Sequence, residues 1–165
     1  MTTTRAFFAA CLCAGLLALG GAAAAQAAPL AARPGWVIAP TPHAYGALVT
    51  RLEEAVKANG MAQVNAASAS DGAKGAGFVI PGNRVVGVFR NDFARRMLAA
   101  SVPAGIEAPV RVYITENADG TATLSYRTPG AVFAPYFEGA GDDLRKVAGE
   151  LDTVFAKIVG DAAAK

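Results

Sequence analysis

Residues 109 to 126, PVRVYITENADGTATLSY, alternate apolar and polar side chains on both sides of a short polar turn. Because successive strand residues point to opposite faces, the apolar members share one face: Val110, Val112, Ile114, Ala122, Leu124 and Tyr126. Gly120 supplies the positive φ that the turn requires. The segment therefore predicts a β-hairpin with one buried face, which is typical of an antiparallel sheet covered by helices on one side.

Three other segments carry apolar residues at helical spacing. A helix is predicted over 42–59, with Thr41 as its cap, Pro42 in its first position and Gly60 at its end. A second helix is predicted from a cap at Asn91 to about Ala100, with Phe93, Met97 and Leu98 facing inward. The third is predicted from about Asp142 to Val159. These stripes predict helices that each bury one face.

Strands are predicted at 36–39, 61–68 and 84–89, the last being rich in β-branched residues. Residues 69–77 are small and glycine-rich, which predicts a loop or a single helical turn. The order of elements is then β-α-β-β-α-β-β-α. This order predicts a two-layer α+β domain, with a mostly antiparallel sheet of about five strands and helices packed on one face.

The first 27 residues have the organisation of a secretory signal peptide. Arg5 precedes an apolar run, and small residues lead to the A-x-A site at 25–27. A transmembrane anchor is the alternative, but it needs about 20 apolar residues. We therefore expect cleavage after Ala27 and a periplasmic or secreted protein. The expected organisation is a flexible tether at 28–35, one domain at 36–160 and a tail at 161–165.

The cysteine and charge content limits the kinds of site and partner that the mature chain could have. Cys11 and Cys13 both lie in the expected leader, so the mature chain would hold no disulfide, thiolate metal site or cysteine nucleophile. Without the leader, 14 basic residues face 13 acidic ones, scattered along the chain. The sequence lacks the block of basic residues that would indicate binding to nucleic acid or, once the leader is removed, to a membrane.

Three segments resemble the bacterial and archaeal family known as domain of unknown function 302. They are TPHAYGALVTRLEEAVKANG, GFVIPGNRVVGVFRN and GIEAPVRVYITENADGTATLSY. The resemblance covers about Thr41 to Val159 and implies a small α+β domain that is often dimeric and has no assigned activity. The family's Phe-Gly-Asn-Pro is replaced at 89–92 by FRND, and a histidine that such domains often carry is missing from 65–68.

Motifs for catalysis or cofactors are weak. His43 is the only histidine, and without a second histidine or a cysteine it lacks the partners that zinc prefers. The loop GAKGAG at 72–77 matches neither glycine-rich phosphate motif. No catalytic residue, metal ligand or cofactor is therefore assigned.

Five residues are candidates for a shallow anion or small-ligand site. Arg90 precedes a predicted helix that begins at Asn91, and such a helix start with an arginine can hold an anion. Arg111 and Tyr113 share the polar face of one strand, and Tyr126 lies on the partner strand. The alternative is that these are solvated arginines and aromatic residues that cover the open sheet face.

The leading functional hypothesis is a non-enzymatic exported domain that forms a homodimer and binds a small molecule or an envelope protein. Aromatic residues left on the open face would form the dimer surface: Tyr113 or Tyr126, with Phe133, Tyr136 and Phe137. A small hydrolase or isomerase that uses Asp92 or Glu116 with Arg90 or Arg111 near Asn91 is the second hypothesis. A purely structural envelope protein is the third.

Overall fold

A computed structural model describes residues 31–165, and these residues form one five-stranded sheet with helices. The expected signal peptide and the start of the tether lie outside the described residues. The strands, in chain order, are β1 (Trp36–Ala44), β2 (Ala62–Ala67), β3 (Asn83–Phe89), β4 (Val110–Glu116) and β5 (Thr121–Arg127). Their order in the sheet is β1-β5-β4-β3-β2, and every neighbouring pair is antiparallel. β1 and β2 are therefore the edge strands.

The helices are α1 (Tyr45–Ala58), α2 (Ala69–Gly75), α3 (Asn91–Ala100), α4 (Pro129–Phe133) and α5 (Gly141–Ala163). Two short 3₁₀ turns cover Pro103–Glu107 and Ala134–Tyr136. The long helix α5 contacts α1, α3 and α4, so it organises the helical layer. Among the described residues, no helix combines the length and hydropathy needed to cross a bilayer.

The core lies between one face of the sheet and the helices. Fully buried side chains from the strands and from two helices meet there: Val86, Val112, Ile114, Leu124, Leu48, Leu52, Leu144, Phe155 and Ile158. The apolar alternation of the hairpin predicted this face correctly, because β4 alternates buried and more exposed residues along its length. The predicted α+β class, the five-stranded antiparallel sheet and the order of the main elements are confirmed.

The first strand is longer than its sequence predicted. β1 continues through Pro40 and Pro42 to Ala44, and α1 begins only at Tyr45. Proline is tolerated here because β1 is an edge strand and needs ladder donors on one side only. Thr41 does not cap the helix; its buried hydroxyl donates to the Ala122 carbonyl at 2.7 Å.

The predicted tail at 161–165 is largely helical, because α5 runs to Ala163. Its last carbonyl groups have partners outside the helix: Arg51 Nε donates to Ala162 O at 2.8 Å and Arg51 Nη2 to Ala164 O at 2.6 Å. A ring nitrogen of His43 lies 2.7 Å from Ala164 O. These contacts satisfy carbonyls that a helix end otherwise leaves open.

Two local predictions are corrected, and the structure decides between the alternatives of a third, where a loop or a single helical turn was expected. Arg90, rather than Asn91, is the N-cap of α3, and Asn91 is its first residue. Leu98 is 43% exposed instead of facing the core. Residues 69–75 form α2, which begins with the Ser68 hydroxyl accepting from Asp71 N at 3.0 Å.

Candidate functional site

The sheet divides between β4 and β5 at one end. The pairing of β3 with β4 continues to Val88 opposite Val110, and that of β1 with β5 continues to Trp36 opposite Arg127. The pairing of β4 with β5 stops earlier, at Val112 opposite Tyr126. Beyond this pair, Arg111 of β4 and Arg127 of β5 are not paired with each other, so the ladder is open between the start of β4 and the end of β5.

A groove of about 430 Å³ starts at this opening and extends over the sheet face opposite the core, where Val85, Tyr113 and Ser125 form one cross-strand row. We call it the fork groove, and its walls come from both sides of the opening, from the first 3₁₀ turn and from α4: Trp36, Val85, Glu107, Val110, Arg111, Tyr113, Ser125, Tyr126, Arg127 and Val132. The volume lies in the range of pockets that hold small organic molecules, about 300–1,000 Å³. The fork groove is therefore large enough for such a ligand.

Ser125 is the most informative residue of the fork groove. The strand register places it between Ile38 of β1 and Tyr113 of β4, and these neighbours bury it to 0% exposure. Among residues 31–165 its Oγ has no hydrogen-bond partner. Leaving a buried hydroxyl unpaired costs about 1–3 kcal/mol, so such a group needs an explanation. Ser125 is a lining residue of the fork groove, so a ligand there is one candidate for the missing partner.

Two aromatic side chains give the fork groove an amphipathic lining. Tyr113 is half-buried, with Val85 opposite it on β3 and Ser125 opposite it on β5. Trp36, also half-buried, lines the groove from β1, and the guanidinium carbon of Arg33 lies 4.0 Å from its ring centroid. Such rings offer flat apolar area together with a polar edge, which suits an organic ligand.

The charged side chains of the fork groove are two arginines and one glutamate. Arg111 is exposed, and within the described part of the chain it has neither an ion pair nor a side-chain hydrogen bond. Arg127 donates to the Ala131 carbonyl at 3.0 Å, which uses one of its five N–H groups. Glu107 accepts a hydrogen bond of 2.9 Å from the Tyr136 hydroxyl, and this bond raises the pKa of Tyr136. The groove therefore has a local excess of positive charge.

Tyr126 borders the fork groove from the core side. It is 3% exposed, and its ring centroid lies 5.7 Å from that of Phe155. Burial, and secondarily the nearby Asp152 carboxylate, raise the pKa of the Tyr126 phenol. The phenol is thus a neutral wall of the groove rather than an exposed aromatic of the open face. Phe133 is also buried in the core.

The structure brings together three of the five candidate residues and separates the other two. Arg111, Tyr113 and Tyr126 line the fork groove, whereas Arg90 and Asn91 do not. Arg90 borders a different, apolar cavity of about 30 Å³, which is room for about one water molecule. The two halves of the predicted site are therefore distinct places.

Arg90 is already engaged by groups of its own helix. Its Nε donates to Asp92 Oδ1 at 2.6 Å, and its guanidinium carbon lies 4.1 Å from the Phe93 ring centroid. The hydrogen bond from Arg90 lowers the pKa of Asp92. Asn91 Oδ1 accepts from Arg95 Nε at 3.0 Å. An anion at this helix start would have to displace the Asp92 carboxylate.

The two carboxylates considered for acid–base chemistry lie apart. Asp92 follows the end of β3, whereas Glu116 ends β4 at the opposite end of the sheet, about 20 Å away along the strand. Glu116 Oε2 accepts from Gly82 N at 2.6 Å. Within residues 31–165 no group of three His, Cys, Asp or Glu side chains has the spacing of a metal site.

Several residues of the fork groove were not identified from the sequence, above all Ser125, Trp36, Arg127 and Glu107. Ser125 and Arg127 flank Tyr126 on β5, so the alternation placed both on the face opposite the core. Their grouping with Trp36 depends on which strands are neighbours in the sheet. That order is set by long-range pairing, and no local pattern contains it.

Comparisons with known proteins agree on one family. The family model described as "Domain of unknown function DUF302" matches residues 37–159. The fold is similar to the crystal structure of an uncharacterized conserved DUF302 protein from Bacillus stearothermophilus, with a TM-score of 0.69 and 16% sequence identity. That alignment covers 80% of this chain and 100% of the other chain. No curated protein gives a significant match.

Proposed function

The chain belongs to the DUF302 family, whose function is unknown, and we propose that it acts by binding a small organic molecule in the fork groove. The observation that carries this proposal is the unpartnered Ser125 hydroxyl, buried in the wall of a groove of about 430 Å³. Unpaired buried polar groups are rare in folded proteins, and each calls for an explanation. Two other such groups among residues 31–165, on Tyr45 and Arg84, lie outside the groove, so Ser125 is the one that bears on it.

The lining of the fork groove favours binding over catalysis. Its titratable side chains are two arginines, two tyrosines and one glutamate, and Glu107 is held by Tyr136. General acid–base catalysis requires a positioned group whose pKa is near the working pH. Nothing near Asn91 favours the hydrolase or isomerase alternative, because Asp92 is paired with Arg90 and its pKa is lowered. Binding without chemistry is the simpler function.

Self-association is part of the proposal, but its surface differs from the aromatic open face expected from sequence. Tyr126 and Phe133 are buried, and Tyr136 and Phe137 pack against the core. The exposed large apolar residues fall into two groups instead: Val64 of the uncharged edge strand β2 with Phe78, Val79 and Ile80 before β3, and Leu98, Val102 and Ile106 on α3 and in the segment that follows it. We assign the self-association patch to the first group. Because the patch residues are uncharged, a second copy of this chain could cover them across a twofold axis without bringing like charges together.

The partner surface can be tested with a matched pair of substitutions. Val79 is 97% exposed within the patch, and Val102 is 75% exposed outside it. In sedimentation velocity experiments, we expect the native chain and V102S to form dimers and V79S to dissociate. A monomeric native chain at all concentrations, or a dimer that is unaffected by V79S, would contradict this surface.

Export is the third part of the proposal and rests on the signal-peptide pattern of residues 1–27. Expression of the full chain in a Gram-negative host should yield a periplasmic protein whose mass corresponds to residues 28–165. An uncleaved chain that stays in the cytoplasm would argue against export.

Native mass spectrometry of that periplasmic protein tests the binding function. Val85→Trp would fill the fork groove from β3, because Val85 is half-buried in its wall. Val102→Trp makes the same change outside the groove. We expect the native chain and V102W to carry a reproducible additional mass, and V85W to lack it. An additional mass that V85W retains would place the ligand elsewhere.

A further inference from the structure

We infer that the ligand of the fork groove is an organic carboxylate, with its anionic group between Arg111 and Arg127 and its apolar body toward Trp36 and Tyr113. This inference rests on the proposed binding function and names its ligand class. The starting observation is that Arg111 and Arg127 line the same groove from opposite sides of the opening between β4 and β5.

Two guanidinium groups that face one small volume repel each other unless an anion lies between them. The described residues provide no such anion to Arg111, and Arg127 is bound only to a carbonyl oxygen. Each guanidinium still has N–H groups that match the two oxygens of a carboxylate. The site therefore has free donors of the geometry that carboxylates accept.

The charge balance of the groove favours a singly charged ligand. Glu107 is the one acidic side chain among the lining residues, so within the lining two positive charges and one negative charge leave an excess of one, while Arg33 stacks on Trp36 outside the lining. A carboxylate neutralises this excess. A dianionic phosphate would overcompensate it and would also meet the Glu107 carboxylate, which is held in place by Tyr136 at 2.9 Å.

The remaining walls define the body of the ligand. Val85, Val110 and Val132 are apolar, and Trp36 and Tyr113 add aromatic surface. A small sugar or a free inorganic anion would leave this apolar lining without a partner, so an apolar, preferably flat, body fits better. The Ser125 hydroxyl lies within the same walls and needs one hydrogen-bond partner, which a ligand oxygen would provide.

A matched pair of probes tests the ligand class: trans-cinnamate and the neutral trans-cinnamamide, which have nearly the same size and shape. Trp36 is the only tryptophan in the chain, so its indole N–H gives one resolved NMR signal at the fork groove. We expect cinnamate to shift this signal and to bind at least tenfold more tightly than cinnamamide. We also expect its affinity to fall as the salt concentration rises.

Arg111→Gln identifies the anion partner, and Arg95→Gln is its control. Arg111 makes no side-chain bond within residues 31–165, so its loss should not unfold the protein, whereas Arg95 is an exposed arginine outside the groove. R111Q should weaken cinnamate binding at least fivefold and leave cinnamamide binding unchanged. R95Q should alter neither.

The outcomes separate the ligand class from the binding function. Equal binding of acid and amide, with the Trp36 signal shifted by both, would overturn the carboxylate assignment and leave the groove as a binding site. Tighter binding of inorganic phosphate than of cinnamate would also overturn it. No shift with either probe at millimolar concentration, together with native protein that carries no extra mass, would overturn both proposals.

Discussion

Two buried hydroxyl groups on β5 allow a direct test of the fork groove. Ser125 and Thr123 lie two residues apart on the same face of the sheet, and both are buried. Thr123 Oγ1 donates to Asn117 Oδ1 at 3.0 Å, whereas Ser125 Oγ has no partner among residues 31–165. Removing the two hydroxyls should therefore change the stability of the unliganded protein in opposite directions.

The magnitudes follow from the cost of an unpaired buried group. Ser125→Ala removes an unsatisfied hydroxyl, so we expect the free energy of unfolding to rise by about 1 kcal/mol. Thr123→Val keeps the side-chain shape but loses a hydrogen bond and leaves the Asn117 oxygen short of a donor, so we expect a fall of about 1–2 kcal/mol. For a domain of this size, 1 kcal/mol corresponds to a change in Tm of about 4 °C.

Urea unfolding followed by Trp36 fluorescence and by circular dichroism would measure both changes. The ligand-free state should be checked first by native mass spectrometry, because a bound ligand stabilises the folded protein. We further expect S125A to lose affinity for cinnamate while gaining stability. If S125A destabilises the ligand-free protein by 1 kcal/mol or more, the Ser125 hydroxyl already has a partner, and the reasoning from its isolation is refuted.

Three other predictions concern the fold. Arg51→Ala should lower the unfolding free energy by about 1–2 kcal/mol, because Arg51 donates hydrogen bonds to the Ala162 and Ala164 carbonyls at the end of α5. Urea unfolding would measure the change, with Arg95→Ala as the control. Equal effects of the two substitutions would contradict this role of Arg51. Phe155→Ala should cost about 3–5 kcal/mol because the side chain is fully buried, whereas exposed Val79→Ala should be nearly neutral. Hydrogen bonds from Arg90, Arg96 and Lys157 lower the pKa values of Asp92, Glu150 and Asp161 in the folded state. The contribution of these three carboxylates to the free energy of unfolding is therefore complete above their unfolded pKa values, near 4, and is lost as the pH falls through the folded values. Arg96→Gln should make the free energy of unfolding depend less on pH in this acid range. An unchanged pH profile would show that the Arg96–Glu150 pair contributes nothing.

The strongest sequence predictions concerned elements whose signals are local. The hairpin at 109–126 was predicted because its alternation and its glycine turn act over a few neighbouring residues. The helices were predicted from apolar stripes of fixed period, and α5 was found where its stripe began. This spacing identifies both the type of each element and its buried face. The α+β class then followed from the order of the elements.

The prediction was wrong where the tertiary contacts of a segment outweighed its local secondary-structure propensity. Thr41 and Pro42 have the residue types of a helix start, yet both belong to β1, because Thr41 binds Ala122 of the neighbouring strand at 2.7 Å. Leu98 has the spacing of a buried helical residue but is exposed, at a point where α3 packs close to Gly105. For Thr41, the deciding partner is 81 residues away in the sequence.

The sequence by itself determined the secondary structure of the hairpin, the helical stripes and the absence of cysteine chemistry from the expected mature chain. Only the tertiary structure decided which polar residues meet in the fork groove. Arg111, Ser125 and Trp36 come from three strands, and they share a groove because β1 and β4 both flank β5 while the β4–β5 pairing ends early. Strand order and the end of a ladder result from long-range hydrogen bonding and core packing, whose partners a local sequence pattern does not identify.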